Sequence, residues 1–206
     1  CIRDRINAPL ADYHSWRQVD TASVAKIFTE EGFNLLKPRY HDLSPMQSGK
    51  ENPQGYRMVE FPIYNAAFAL LYKYIGVLPI EVYGRLVSIF LTLISISILF
   101  YLLRKEFNFE TAILGSLAFS LLPFFVFFTR FVLPEPTATG LYMISLFFGY
   151  LFSYAATRKK ALLYLIPCFV FFSLSLLVKP TTIFFLLPIF YLFYRRYDIF
   201  VFTRPQ

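Results

Sequence analysis

From about residue 84 onward the chain carries mostly membrane-grade apolar sequence, and this limits its fold more than any other feature. Apolar segments follow one another at roughly 86–103, 111–128, 137–155, 161–178 and 181–194. From residue 82 on, only Glu106, Glu110, Glu135 and Asp198 are acidic. A helix that crosses a bilayer needs about 20 apolar residues, within a range of about 17–25, and the first four segments fit. The last is short and contains Pro188. Lipid offers the backbone no hydrogen-bond partner, so such segments must be helical. The expected class is an all-α membrane protein, a multi-span transmembrane helix bundle.

The remainder is different in kind. Nine of the 13 acidic residues lie in residues 1–81, which divides the chain into an outer loop region, 1–84, and a region of about five spans, 85–206. Charged residues make up 16% of the whole, against about 25% in a soluble domain. The net charge of +7 does not point to nucleic acid, because the basic residues sit in short clusters between apolar runs. Arg104-Lys105, Arg158-Lys159-Lys160 and Arg195-Arg196 follow alternate spans. Alternating crossings bring all three to one side, which the positive-inside rule makes cytoplasmic. Residues 1–84, the Arg130 to Pro136 turn and the Lys179-Pro180 turn then share the outer face of the plasma or inner membrane. The two cysteines, Cys1 and Cys168, suggest neither a disulfide framework nor a metal site. The chain opens on Cys1 within polar sequence, and reads as a piece of a longer membrane protein.

Within the polar region, Ala22, Ala25 and Phe28 recur at helical spacing. They predict a short helix from Thr21 to Glu31, capped by Asp20 or Thr21 and stopped at Gly32. Residues 37–59 read as loop, with Pro38, Pro45, Gly49, Pro53 and Gly55 among polar residues. The stretch 63–75 is apolar on most faces but holds Asn65 and Lys73, and suits a helix along the interface.

Against this background the outer-face charges stand out. Asp20 has the position of a helix N-cap, where Asp contributes about 1 kcal/mol; a capping Asp can also be catalytic. Glu60 precedes Pro62 as an acid at a helix start, and Glu135 stands in a Pro-Glu-Pro turn. Arg85, Arg130 and Lys179 flank spans, where long cations commonly snorkel. His14 reads as a hydrogen-bonding loop residue. Taken one by one these are ordinary, but three carboxylates meet on one face of a chain that has few. Ionisable groups at membrane depth are functional candidates by default.

These residues also resemble a known group. Asp20-Thr21-Ala22-Ser23-Val24-Ala25-Lys26-Ile27-Phe28, then Gly32 and Pro38, looks like the first outer loop of GT-C glycosyltransferases, in the protein-mannosyltransferase and aminoarabinose-transferase superfamily. It resembles in particular a bacterial branch with the His-x-Trp-Arg-Gln-x-Asp-Thr signature seen at His14 to Thr21. That family commonly has an Asp-Glu pair where this chain has Asp20-Thr21. Glu60-Phe61-Pro62-Ile63-Tyr64 resembles its Glu-Lys-Pro-Pro-Leu element, with Phe61 for the Lys. Tyr83-Gly84-Arg85-Leu86, Arg130 followed by Glu135, and Leu177-Val178-Lys179-Pro180 resemble further family motifs, in order along almost the whole chain.

The resemblance implies an integral-membrane glycosyltransferase. A sugar would pass from a polyprenyl-phosphate donor to a hydroxyl of a glycan, lipid or protein acceptor on the outer face, with inversion. Asp20 would be the general base and Glu60 a second catalytic carboxylate. Arg17, Arg85, Arg130, Lys179, Glu135 and His14 would bind substrate. The resemblance fixes no cofactor; a divalent cation is compatible with it, although no ligand set is visible. A polytopic transporter or flippase for a lipid-linked or anionic substrate is the alternative, since the same outer charges would serve it. No internal repeat of the kind common in transporters is visible.

Overall fold

The computed structural model describes residue 10, residues 15–45 and residues 49–197. His14 lies outside the described residues. The described chain is helical, and its one isolated β-bridge pairs Arg39 with Tyr56.

Helix α1, Ser15–Glu31, starts earlier than its sequence predicts. Gln18, Thr21, Ala22, Ala25 and Phe28 are buried along one face, the three- and four-residue spacing that a packed helix uses. This burial extends the helix by more than a turn beyond the Ala22-Ala25-Phe28 pattern. Asp20 is therefore a second-turn residue and not the cap, and Thr21 Oγ1 donates back to the Arg17 carbonyl. Gly32 ends the helix at φ +100, a conformation that glycine adopts without cost.

Helix α2, Ile63–Ile75, has the predicted bounds and ends at Gly76 in the left-handed region. Its Tyr64, Phe68 and Ala69 pack with Val24, Ala25 and Phe28 of α1, and with Tyr83 and Val132. The other face leaves Leu70, Leu71 and Tyr74 exposed. One side of α2 is thus core and the other apolar surface.

Helix α3, Ile80–Glu106, is about 40 Å long at about 1.5 Å per residue, and α7, Arg158–Val178, about 31 Å. Both are long and apolar enough to cross a membrane. The segment predicted at 111–128 is not continuous. It forms α4, Phe109–Leu121, and α5, Pro123–Phe128, with Leu122 extended between them. Proline has no N–H to continue the ladder and biases the preceding residue away from helix. Helix α6, Glu135–Ser153, begins on the acid itself. The segment predicted at 181–194 opens as a 3-10 turn, Pro180–Phe185, and becomes α8, Leu186–Tyr197.

Direction alternates from α3 onward. At one end Glu106 of α3 meets Arg195 of α8 at 3.0 Å, and Tyr154, just past α6, donates to Glu106 at 2.7 Å. At the other end Arg85 of α3 donates to the Arg130 carbonyl, and Lys179, closing α7, reaches Glu135 of α6. The basic clusters at 104–105, 158–160 and 195–196 accordingly lie towards the Glu106 end. Glu60, Arg85, Arg130, Glu135 and Lys179 lie towards the Glu135 end.

Helix α6 is the hub, packing on both α3 and α7. Ser175 Oγ donates to the Ala138 carbonyl, and Ser145 Oγ to that of Cys168, hydroxyl contacts typical of helices in an apolar surround. A Cβ on Gly140 would lie 2.8 Å from Leu91 Cβ of α3. Gly140→Ala is therefore expected to cost about 1–3 kcal/mol by overpacking, read as a lowered unfolding midpoint in detergent.

Candidate active site

Four charged side chains from separate parts of the chain meet at the Glu135 end. Arg17 lies on α1, Glu60 just before α2, Glu135 at the first turn of α6, and Lys179 at the C-cap of α7. Arg17 Nη2 donates to Glu60 Oε1 at 2.5 Å, and Arg17 Nη1 stands 3.3 Å from Glu135 Oε1. Lys179 Nζ stands 3.4 Å from Glu60 Oε1 and also donates to Glu135 Oε1. Each cation thus holds both acids, and the cluster is neutral.

Local structure places each member. An acid is favoured at a helix N-terminus and a cation at a C-terminus, which suits Glu135 on α6 and Lys179 on α7. The segment carrying Glu60 is fixed by the main chain, since Phe61 N donates to the Leu177 carbonyl at 3.1 Å. Arg17 is held by the packing of α1, where Gln18, only 1% exposed, accepts from Val132 N at 3.2 Å. Asn65 of α2 donates to the Thr21 carbonyl at 2.7 Å.

Asp20 lies three residues beyond Arg17 on α1, where side chains are neighbours with Cβ atoms about 5–6 Å apart. Its Oδ2 pairs with Arg57 at 2.7 Å. Burial raises the Asp20 carboxyl above its ordinary value; Arg57 pulls it down and Asp42 pushes it further up. Arg57 arrives from the loop. Asn52 accepts from Tyr56 N, Tyr40 N donates to the Gly55 carbonyl, and Arg57 N donates to the Pro38 carbonyl. The guanidinium then lies over the Tyr40 ring, 5.2 Å from its centre. Gly55 turns the loop at φ +65, and a Cβ there would stand 2.5 Å from the Tyr40 carbonyl oxygen. Gly55→Ala combines that clash with a left-handed backbone that costs about 1–2 kcal/mol. A drop in stability of about 2 kcal/mol or more by chemical unfolding is expected.

Arg85 and Arg130 take different positions from the other cations. Arg85 is buried, and its Nε donates to the Arg130 carbonyl at 3.1 Å. Arg130 Nε turns back to the Val126 carbonyl, also at 3.1 Å. Together they brace the turn that leads into α6. Among the described residues, no three His, Cys, Asp or Glu side chains gather as a metal-binding group.

Below the cluster a groove of about 720 Å³ opens between α4, α5, α6 and the 3-10 turn. Phe119, Phe125 and Phe128 form one wall, and Tyr142 and Phe185 stack at 4.7 Å in the other. Glu135 and Lys179 border it, so an almost wholly apolar trough runs up to paired charges.

Residues 60–200 match the family model described as dolichyl-phosphate-mannose-protein mannosyltransferase. The chain belongs to this family. It is a glycosyltransferase of the mannosyltransferase type and a membrane protein, as the resemblance in its motifs implies. The match takes in Glu60, Arg85, Arg130, Glu135 and Lys179; Arg17, which is part of the cluster, and Asp20, which pairs with Arg57, precede it on α1. No curated protein and no solved structure gives a significant match.

Proposed function

We propose that the full chain moves a sugar from a polyprenyl-phosphate donor to an acceptor hydroxyl at the outer membrane face. The observation that carries this reading is the groove. Its aromatic walls suit an isoprenoid chain, and its charged rim suits the phosphate. A phosphate arriving there competes with Glu60 and Glu135 for Lys179 and Arg17. Arginine offers paired donors to such an anion, and both cations stabilise the negative charge that grows on the leaving group.

In the transfer, the bond from the anomeric carbon to the phosphate oxygen breaks as the acceptor oxygen bonds to that carbon from the opposite face. The acceptor proton passes to Asp20, and polyprenyl phosphate leaves. Glu60, released from the cations by the phosphate, is placed to orient the acceptor. The outer location is supported by the seven basic residues of the three clusters at the far end, which the positive-inside rule favours on the cytoplasmic side. Residues 1–84 then form the outer region and the helices after it the membrane region.

The test is reconstitution of the full chain in proteoliposomes with polyprenyl-phosphate mannose carrying labelled sugar and a native membrane extract as the source of hydroxyl acceptors. Cleavage of the sugar–phosphate bond, inhibited competitively by sugarless polyprenyl phosphate, is expected. Movement of intact donor between leaflets without cleavage would overturn the transferase reading for this site and favour a flippase.

A further inference from the structure

The two oxygens of Glu135 have different surroundings. Oε1 takes both cations, Arg17 and Lys179. Oε2 is buried and has no hydrogen-bond partner, in a residue only 8% exposed that lines the groove. Buried carboxylate oxygens are normally satisfied, and each can accept more than one hydrogen bond. Two of the hydroxyls that line the groove with it are committed elsewhere. Thr139 Oγ1 donates to the Glu135 carbonyl, and Thr182 Oγ1 to the Lys179 carbonyl. Glu60 is unlike Glu135 here, because its side chain is 21% exposed and within reach of water.

We infer that Glu135 Oε2 accepts a hydrogen bond from one hydroxyl of the donor sugar, which makes Glu135 a specificity-determining residue. This rests on the donor site proposed above. With the phosphate at Lys179 and Arg17, the sugar ring is one bond away and sits over the rim of the groove. A second phosphate oxygen would be repelled by the carboxylate, whereas a hydroxyl hydrogen satisfies it. The aromatic walls hold the isoprenoid chain, so the sugar takes its polar contacts from the charged rim, where Glu135 Oε2 is a carboxylate oxygen still unfilled. A site that holds a substrate hydroxyl rejects an analogue lacking it, because the buried acceptor is then left bare.

The test uses the full chain in nanodiscs and measures competition against a fluorescent polyprenyl phosphate. The competitors are sugarless polyprenyl phosphate, polyprenyl-phosphate mannose and its monodeoxy analogues. In the wild type, one monodeoxy analogue is expected to bind at least about tenfold more weakly than the parent donor. In Glu135→Met that gap shrinks to about twofold or less, while sugarless lipid still binds, which shows an intact groove. Glu135→Asp keeps the charge beside Lys179 and withdraws the oxygen by one methylene. It is expected to shrink the same gap without weakening the sugarless lipid.

A gap of unchanged size in both variants, or a wild type that treats every analogue like the parent, overturns the inference and leaves Glu135 a counter-ion of Lys179. A wild type that binds neither sugarless nor sugar-bearing lipid phosphate overturns the donor-site reading itself.

Discussion

Lys179→Met is expected to destabilise the protein by about 3 kcal/mol, near the lower end for breaking a buried ion pair, and to remove polyprenyl-phosphate binding. Lys179 holds both acids of the cluster. Without it, Arg17 alone faces Glu60 and Glu135, and the neutral group of four becomes an anion. The lower end applies because Lys179 is about one-fifth exposed, so water screens part of the loss. Adding Glu135→Leu removes the stranded charge along with its partner. Replacing a whole buried pair with apolar groups is commonly neutral or stabilising, so the double variant should recover most of the stability while still failing to bind lipid phosphate. Reversible unfolding in mixed micelles, paired with the lipid competition assay, reads both effects. A single variant as stable as the parent would show that the cluster holds the helices together less than its geometry indicates.

Asp20→Asn has the largest expected effect on rate. General-base help is worth about 10²–10⁴-fold, and turnover should fall by that factor with little change in donor KM. Stability should not fall with it. Burial raises the Asp20 carboxyl, so the folded protein binds that proton more tightly than the unfolded chain does. The stability contributed by Asp20 is then complete below its unfolded value and declines as pH rises through the raised folded value. At neutral pH the folded state disfavours the charge, and the neutral amide removes that penalty while keeping an acceptor for Arg57. The same raised value shifts the acid limb of transfer upward from where an unperturbed aspartate would put it, and the limb should vanish in the variant. A pH profile of kcat/KM for both proteins, alongside chemical unfolding, separates a base from a structural counter-ion. Loss of stability at unchanged turnover would make Asp20 only a partner of Arg57.

Much of the site is legible in the sequence, because an apolar chain with so few charges must gather them where water or a ligand can meet them. The alternation of apolar runs brings Glu60, Glu135 and Lys179 to one end, and the structure pairs them there. The bounds of α2 follow from local pattern, since its apolar run starts after Pro62 and stops at Gly76. The start of α1 does not. It depends on the burial of Gln18 against Val132, a contact 114 residues apart in sequence, which no local capping pattern reveals. The break at Pro123 had a visible signal in the proline itself, masked by the apolar residues on both sides.

Arg57 had no signal beyond one cation in a glycine- and proline-rich loop. Its position beside Asp20 is set by Asn52 and Gly55 turning that loop back on Pro38 and Tyr40. Arg85 and Arg130 show the converse. Their types and positions suggest phosphate ligands, yet the bonds they make to backbone carbonyls also brace the turn before α6.

Photolabelling most directly tests whether the apolar groove and the charged cluster at its rim hold one polyprenyl phosphate. A polyprenyl phosphate with a photoreactive group near the phosphate would be cross-linked to the full chain in nanodiscs and the adducts mapped by mass spectrometry. Adducts concentrated on Phe119–Phe128 and Phe184–Phe185, lost in Lys179→Met and competed away by unlabelled lipid phosphate, are the predicted result. Adducts spread over the exposed faces of α3 and α7, unchanged in Lys179→Met, would contradict it.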